Sequence, residues 1–314
     1  MSSTITPAKN RQDSETASAV DSFSSPELLQ WKATAIAAEQ ALPGLFSGEF
    51  VQETLALTQR LFIQLQRRPS TLIAGIIQPL MWLILFGALF QNIPEGLFGE
   101  SQNYGQFLGA GIIVFTAFAG ALNAGLPVMF DREFGFLNRL LVAPLASRFS
   151  IVVASALFIA AMSFVQTASI VGVSAFLGAG LPSVSGLALM ALIVFTLVLG
   201  VTALSLGLAF ALPGHIELIA VIFVTNLPLL FSSTALVPIS FMPRWLQVVA
   251  SLNPLSYAIE PIRYLYLHER WSLDSPVLQA PWGSVSLGAS LAVLVGFSAI
   301  ALVLIQPLLR RRIA

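Results

Sequence analysis

The chain has 314 residues, 56% of them apolar and only 10% charged, against roughly 45–50% and 25% in soluble domains, which places it among integral membrane proteins. Fifteen lysines and arginines balance fifteen acids, so there is no excess of basic charge to attract a nucleic acid. There is no cysteine, which excludes disulfides, thiolate metal sites and cysteine nucleophiles.

Residues 1–49 are rich in Ser, Thr, Ala and Gln and contain no apolar core of signal-peptide length. They are expected to be a disordered, polar cytoplasmic tail ahead of a single membrane domain over 50–314. Residues 50–66 put Phe50, Val51, Leu55, Leu57, Leu61, Phe62 and Leu65 on one helical face and Gln52, Glu53, Gln59, Arg60, Gln64 and Arg67 on the other. That pattern predicts a helix lying in the membrane surface, its basic flank of Arg60, Arg67 and Arg68 toward anionic headgroups and Pro69 turning the chain into the bilayer. The helix reads either as a plain anchor or as one wall of a docking groove.

Crossing the hydrocarbon core takes about 20 mostly apolar residues, and six stretches qualify, near 70–91, 107–129, 149–176, 186–211, 216–240 and 284–308. The expected fold is therefore all-α: a polytopic membrane protein of six transmembrane helices with an N-terminal amphipathic interface helix. Pro213, Gly214 and a few neighbours are all that join the fourth and fifth stretches, which makes them an antiparallel hairpin. Small residues of the second stretch, Gly105, Gly109, Gly111, Ala117 and Ala121, offer close helix contact, and a seam between subunits is one use for it.

Between the second and third stretches lies a charged island, Asp131 to Leu145. On a helical period Phe134, Phe136, Leu137, Leu140 and Leu141 share one face, Asp131, Arg132, Gly135, Asn138 and Arg139 share the other, and Pro144 ends the helix. Glu133 falls on the apolar face, where a lipid surface gives it nothing but a protein groove supplies a donor. The plainer reading is a loop helix with Glu133 in a first turn favoured by the dipole.

The basic residues orient the chain. Arg60, Arg67, Arg68, Arg132, Arg139, Arg148, Arg310, Arg311 and Arg312 fall on one side, while only Arg244, Arg263 and Arg270 fall on the other. Short cytoplasmic loops retain such residues, so both termini and the island are expected in the cytoplasm. On the opposite side, Phe241 to Trp271 is too apolar for an ordinary loop and too broken by Pro243, Pro254 and Pro261 for one spanning helix. It predicts an outer re-entrant pair of short helices, with Glu260 and Arg263 paired at i, i+3 and Trp245, Tyr257, Tyr264, Tyr266 and Trp271 suited to an interfacial belt.

Three motifs then carry a resemblance over residues 50–312. They are Arg67, Arg68 and Pro69 before the first stretch; Glu133, Gly135, Leu140, Leu141 and Pro144 after the second; and Asn253, Pro254, Leu255, Ser256, Tyr257, Glu260 and Arg263 before the last. In this order the chain resembles the membrane-spanning permease of an ABC type-2 exporter in the bacterial inner (plasma) membrane. The resemblance implies a homodimer or heterodimer, each subunit docked to an ATPase through a coupling helix from Asp131 to Val142. The outer segment itself reads either as a gate, at Asn253, Pro254, Tyr257, Glu260 and Arg263, or as an interfacial helix hairpin with no gating role. ATP and Mg would sit on the partner ATPase, with no cofactor on this chain and lipid as its surroundings. The 314 residues hold no G-x-x-x-x-G-K-[ST] loop, in keeping with ATP handled by another chain.

Two other classes fit the chain less well. An ion-coupled transporter usually carries ionisable groups inside its spans, and none is central here. An intramembrane enzyme needs a nucleophile with a base, or paired metal ligands, and the two histidines, His215 and His268, are expected at opposite faces. A structural membrane subunit is the remaining alternative. Apolar and hydroxyl spans without buried charge favour an amphipathic substrate: a hydrophobic drug, a lipid-like molecule or a lipid-linked glycan.

Overall fold

The computed structural model describes residues 48–67, 69–90, 92, 104–135, 149–176 and 181–311. Within them the chain is helical apart from one hairpin. Helix α1 (Gly48–Gln66) ends one turn before Pro69, which opens α2 (Pro69–Leu89) in the first-turn position where its missing N–H costs nothing. Next come α3 (Tyr104–Leu122) and α4 (Gly125–Glu133), then α5 (Phe149–Phe176) and α6 (Val184–Ala211). The Ser183 hydroxyl starts α6 by accepting from Gly186 N at 3.1 Å. The chain continues through α7 (His215–Phe231), a 3-10 turn at Ile239–Phe241, α8 (Arg244–Leu252) and α9 (Pro254–Leu267). Strands β1 (Pro276–Ala280) and β2 (Gly283–Ser286) form an antiparallel hairpin before α10 (Leu287–Arg311).

Among the described residues four stretches are long and apolar enough to cross a membrane: Phe107–Glu133 (α3 and α4 together), Phe149–Phe176, Val184–Ala211 and Leu287–Leu308. Ile73–Leu89 and His215–Phe231 are apolar but shorter. The fifth stretch expected from sequence ran to 240, whereas α7 stops at Phe231. Seventeen residues at about 1.5 Å each reach roughly 25 Å, short of a hydrocarbon core of about 30 Å. The sixth begins at Leu287 rather than 284, because residues 276–286 are occupied by the hairpin.

The start of the island differs from expectation. Asp131, Arg132 and Glu133 are the end of α4: Phe134 leaves helical geometry and Gly135 takes φ +73, a left-handed conformation that glycine adopts without a Cβ penalty. Gly135 is thus a helix stop, not a member of a polar face. The rest of the expected helix, from residue 136, lies outside the described residues. Upstream, Ser205 of α6 spans the break between α3 and α4, its hydroxyl donating to Leu122 O and accepting from Gly125 N at 2.9 Å. Pro127 has no N–H with which to continue the ladder, and a Cβ on Gly125 would lie 2.5 Å from Ser205 O. The break is therefore built by both helices.

The core lies along α6, whose Met190, Ile193, Leu197 and Val198 are almost wholly buried against α3, α5, α9 and α10. At Gly200 a Cβ would come within 2.9 Å of Ser298 Cα on α10, a backbone approach typical of small-residue contacts. The small residues of α3 serve the same end. Gly109 faces Ser174 of α5, Gly111 lies against the Ala235 backbone, and Ala117 and Ala121 are 1% and 0% exposed. They pack within the subunit instead of lining a seam between two, because each already has a neighbour in its own chain. The environment of Gly105 lies outside the described residues.

Two glycines separate packing from propensity. A Cβ on Gly111 would meet Ala235 O at 2.4 Å, while one on Gly172, within α5, meets nothing within 4 Å. Gly111→Ala is expected to destabilise by about 1–3 kcal/mol through overpacking, and Gly172→Ala to be neutral or stabilising by up to about 1 kcal/mol. Thermal melts of the two purified variants in one detergent measure this.

Candidate functional site

Three consecutive charged residues at the end of α4 each bind a different helix. The Arg60 guanidinium of α1 donates to Asp131 at 2.9 Å, an ion pair with both side chains about three-tenths exposed, a setting worth only about 0–1 kcal/mol. Arg132 reaches the end of α6 and donates to the carbonyls of Ala209 (2.8 Å), Leu212 (2.6 Å) and Pro213 (2.7 Å). Those oxygens have no partner within the helix, and a cation at a helix C-terminus also opposes its dipole. Glu133 accepts from the His215 amide at 2.6 Å and contacts its ring Nδ1. This carboxylate therefore caps α7 from another helix, a task that Gly214 at the cap position has no side chain to perform.

Asp131, Arg132 and Glu133 are thus engaged within the chain. The donor expected for Glu133 in a partner's groove is supplied by the chain's own His215, which the α6–α7 turn brings beside it. Near these three, Ser150 donates to Glu53 of α1 at 2.9 Å, and Phe62 meets the Phe158 ring edge-on at 5.2 Å. One side of α1 packs on the bundle in this way, whereas Val51 and Leu55 are 46% and 59% exposed. Arg67 follows α1 and is exposed. Arg68, Leu137, Asn138, Arg139, Leu140, Leu141 and Pro144 lie outside the described residues.

A second polar assembly sits at the other end of α7. Asn253 lies between α8 and α9 and serves two helix ends. Its Nδ2 donates to Leu229 O (2.8 Å) and Ser232 O (3.0 Å) at the end of α7, and its Oδ1 accepts from Leu255 N (2.9 Å) at the start of α9. Pro254 follows as the first residue of α9. The Ser256 hydroxyl accepts from Thr234 N at 3.3 Å, and the Tyr257 hydroxyl donates to Ser251 O at 2.8 Å. Arg263, only 7% exposed, lies over the Phe107 ring at 3.7 Å from its centroid. It donates to Glu260 on its own helix, to Thr234 O at 2.8 Å and to Phe107 O at 3.3 Å. The i, i+3 pair read from the sequence is present, with Arg263 buried and Glu260 partly buried.

Tyr257 and Tyr266, assigned from sequence to an interfacial belt, are 7% and 9% exposed and belong to the core, because α9 is enclosed along most of its length. Trp245 is 68% exposed, as a belt residue would be. Sequence reasoning missed Arg132 as the partner of the α6 terminus and Ser205 as the bridge across the α3–α4 break. It also missed His215 as the mate of Glu133, although a histidine directly after a Pro-Gly turn was a legible sign of a polar helix start.

Residues 52–267 match the family model described as ABC-2 type transporter. The chain is 55% identical over 271 residues to the transport permease ycf38 of Porphyra purpurea, covering 86% of this chain and 93% of that one. It is 52% identical over 269 residues to the ycf38 permease of Pyropia yezoensis, covering 86% and 92%. It is also similar, at 27% identity over 250 residues, to the doxorubicin resistance ABC transporter permease protein DrrC of Mycobacterium tuberculosis, covering 78% and 85%. The motifs around Pro69, Glu133 and Asn253 to Arg263 all fall inside the matched region. The chain belongs to the ABC-2 type transporter membrane family, and it is a membrane-spanning transport permease.

Proposed function

We propose that the chain is the permease of an ATP-driven exporter, crossing the membrane six times through α2, α3–α4, α5, α6, α7 with the residues that follow it, and α10, with both ends in the cytoplasm. One observation carries this reading: an ABC-2 membrane domain occupies residues 52–267, while the 314 residues hold no phosphate-binding loop. ATP and Mg then belong to a separate ATPase subunit, and two permease subunits, identical or different, form the path. The membrane is the bacterial plasma membrane or an organellar counterpart. Docking falls to the island. Phe134, 80% exposed beside the engaged Glu133, leads into the segment containing Leu137, Asn138, Arg139, Leu140, Leu141 and Pro144.

The substrate proposed is amphipathic: a lipid-like molecule, a glycan on a lipid carrier or a hydrophobic drug. Helices α3, α5 and α6 carry apolar, hydroxyl and amide side chains and no charged one. The name of the mycobacterial relative, which refers to doxorubicin resistance, points the same way. The outer assembly of Asn253, Pro254, Tyr257, Glu260 and Arg263 is proposed as the gate on the far side.

Three measurements check this reading. Single cysteines at Ser147, Ser183 and Ser275 meet no native cysteine. In intact cells a membrane-impermeant thiol reagent is expected to label positions 183 and 275 but not 147, and the reverse pattern overturns the topology. Arg139→Glu is expected to lower retention of the ATPase subunit at least fivefold during purification at unchanged permease yield, and full retention would remove Arg139 from the contact. Arg263→Ala is expected to cost about 3–5 kcal/mol, since it strands Glu260 and two carbonyls. Exchanging Glu260 and Arg263 is expected not to restore stability, because a carboxylate at 263 would face the carbonyls of Phe107 and Thr234.

A further inference from the structure

Helix α7 is fastened unlike any other described helix in the bundle. Its first amide, that of His215, is held by Glu133 from the end of α4, and its last carbonyls, those of Leu229 and Ser232, are held by Asn253 from the start of α9. Along its length only Leu218, Ile222 and Leu230 are buried, a single stripe, while Ile216, Phe223, Val224 and Phe231 are 62–73% exposed. Its attachments are thus concentrated at the two ends, about 25 Å apart over its 17 residues. Each end also joins a polar cluster. Arg132, next to Glu133, grips the α6 terminus, and Ser256, three residues after Asn253, bonds the Thr234 amide whose carbonyl takes Arg263.

We propose that α7 carries movement between the two clusters, with Glu133 and Asn253 as the positioning residues that fasten its ends. A displacement of the island pulls on Glu133, whose hold on the His215 amide passes the displacement to α7. A helix is stiff along its axis because its turns are closed by their own hydrogen bonds, and in α7 the bond that Pro228 cannot donate is the exception. The shift therefore arrives at Leu229 and Ser232, where Asn253 couples it to α9 and to the seat of Arg263. The lateral faces resist little, having one buried stripe. This inference rests on the reading of the chain as an ATP-driven permease.

The test uses the complete permease with its ATPase subunit in membrane vesicles, with Thr234→Cys as reporter. Thr234 is 0% exposed and its hydroxyl has no hydrogen-bond partner, so the thiol displaces no contact and reports opening around Arg263. Labelling by an impermeant maleimide on the outer side is read with and without ATP, and hydrolysis is read separately. In the otherwise native chain ATP is expected to raise the labelling rate. In Glu133→Ala that rise, per ATP hydrolysed, is expected to fall at least fivefold. The same loss is expected in Asn253→Asp, which keeps the acceptor for Leu255 N but lacks the donor to α7. Damage confined to the Glu133 end would not move a signal about 25 Å away independently of hydrolysis, and for Asn253→Asp, whose site adjoins Thr234, labelling without ATP must match the reporter chain before the ATP response is read. A full response in either variant overturns the inference. If Glu133→Ala fails to accumulate, Glu133→Gln is judged by the same criterion. An absence of any ATP response in the reporter chain itself overturns the exporter reading beneath it, which is a separate result.

Discussion

Where α6 meets α7 the chain reverses within three residues, exposing helix-end carbonyls and amides next to an apolar layer that offers them no partner. Arg132 and Glu133 answer both needs from one place: a cation on the carbonyls of Ala209, Leu212 and Pro213, and an anion on the amide of His215. Each charge also opposes the dipole of the helix it touches. The order of the two residues matters, since an acid at 132 would repel the carbonyls and a base at 133 would repel the amide. The long helix α6, on which α3, α5, α9 and α10 pack, has its C-terminal end held by Arg132, and α7 has its start held by Glu133.

The same economy recurs where α7 gives way to α8 and α9. Asn253 presents a donor to one helix end and an acceptor to another, from the two separate polar atoms of one amide. Arg263 spends its guanidinium in three directions, on an acid, two carbonyls and an aromatic face. A lysine, with a compact ammonium on a flexible stem, does not match that planar geometry. Arg132, Glu133 and Asn253 thus serve helix ends, whereas the middles of α5, α6 and α10 hold apolar residues and small hydroxyls such as Ser163, Thr202 and Ser298.

Much of this was legible. Apolar runs of spanning length, proline at 69, the Pro-Gly turn at 213–214 and the i, i+3 spacing of Glu260 and Arg263 all follow from rules of local geometry, and the helices near them form as expected. What was not legible depended on contacts distant in sequence. The mate of Glu133 is 82 residues away, and the hydroxyl across the α3–α4 break is 80 residues from Gly125. The short strands at 276–286 carry no clear alternation. Such a pair is marginal alone, and Leu278, only 1% exposed, ties it to the bundle. The glycines and alanines of α3 suited a seam between subunits equally well by pattern, and only the position of Ala235 and Ser174 assigns them to the subunit's interior.

The contact between Arg263 and the Phe107 carbonyl spans 156 residues. A ribosome adding roughly 5–20 residues per second needs on the order of 8–30 s to make the second partner after the first. During that interval α3 waits in the bilayer with its N-terminal seat unfilled, and α7, α8 and α9 emerge in turn before the guanidinium arrives. The seat of Arg263 therefore stays incomplete until α9 is made, with α10 still to follow. A nascent chain stalled at this stage exposes apolar helices and a vacant polar seat together, a combination that membrane proteases and chaperones are placed to recognise.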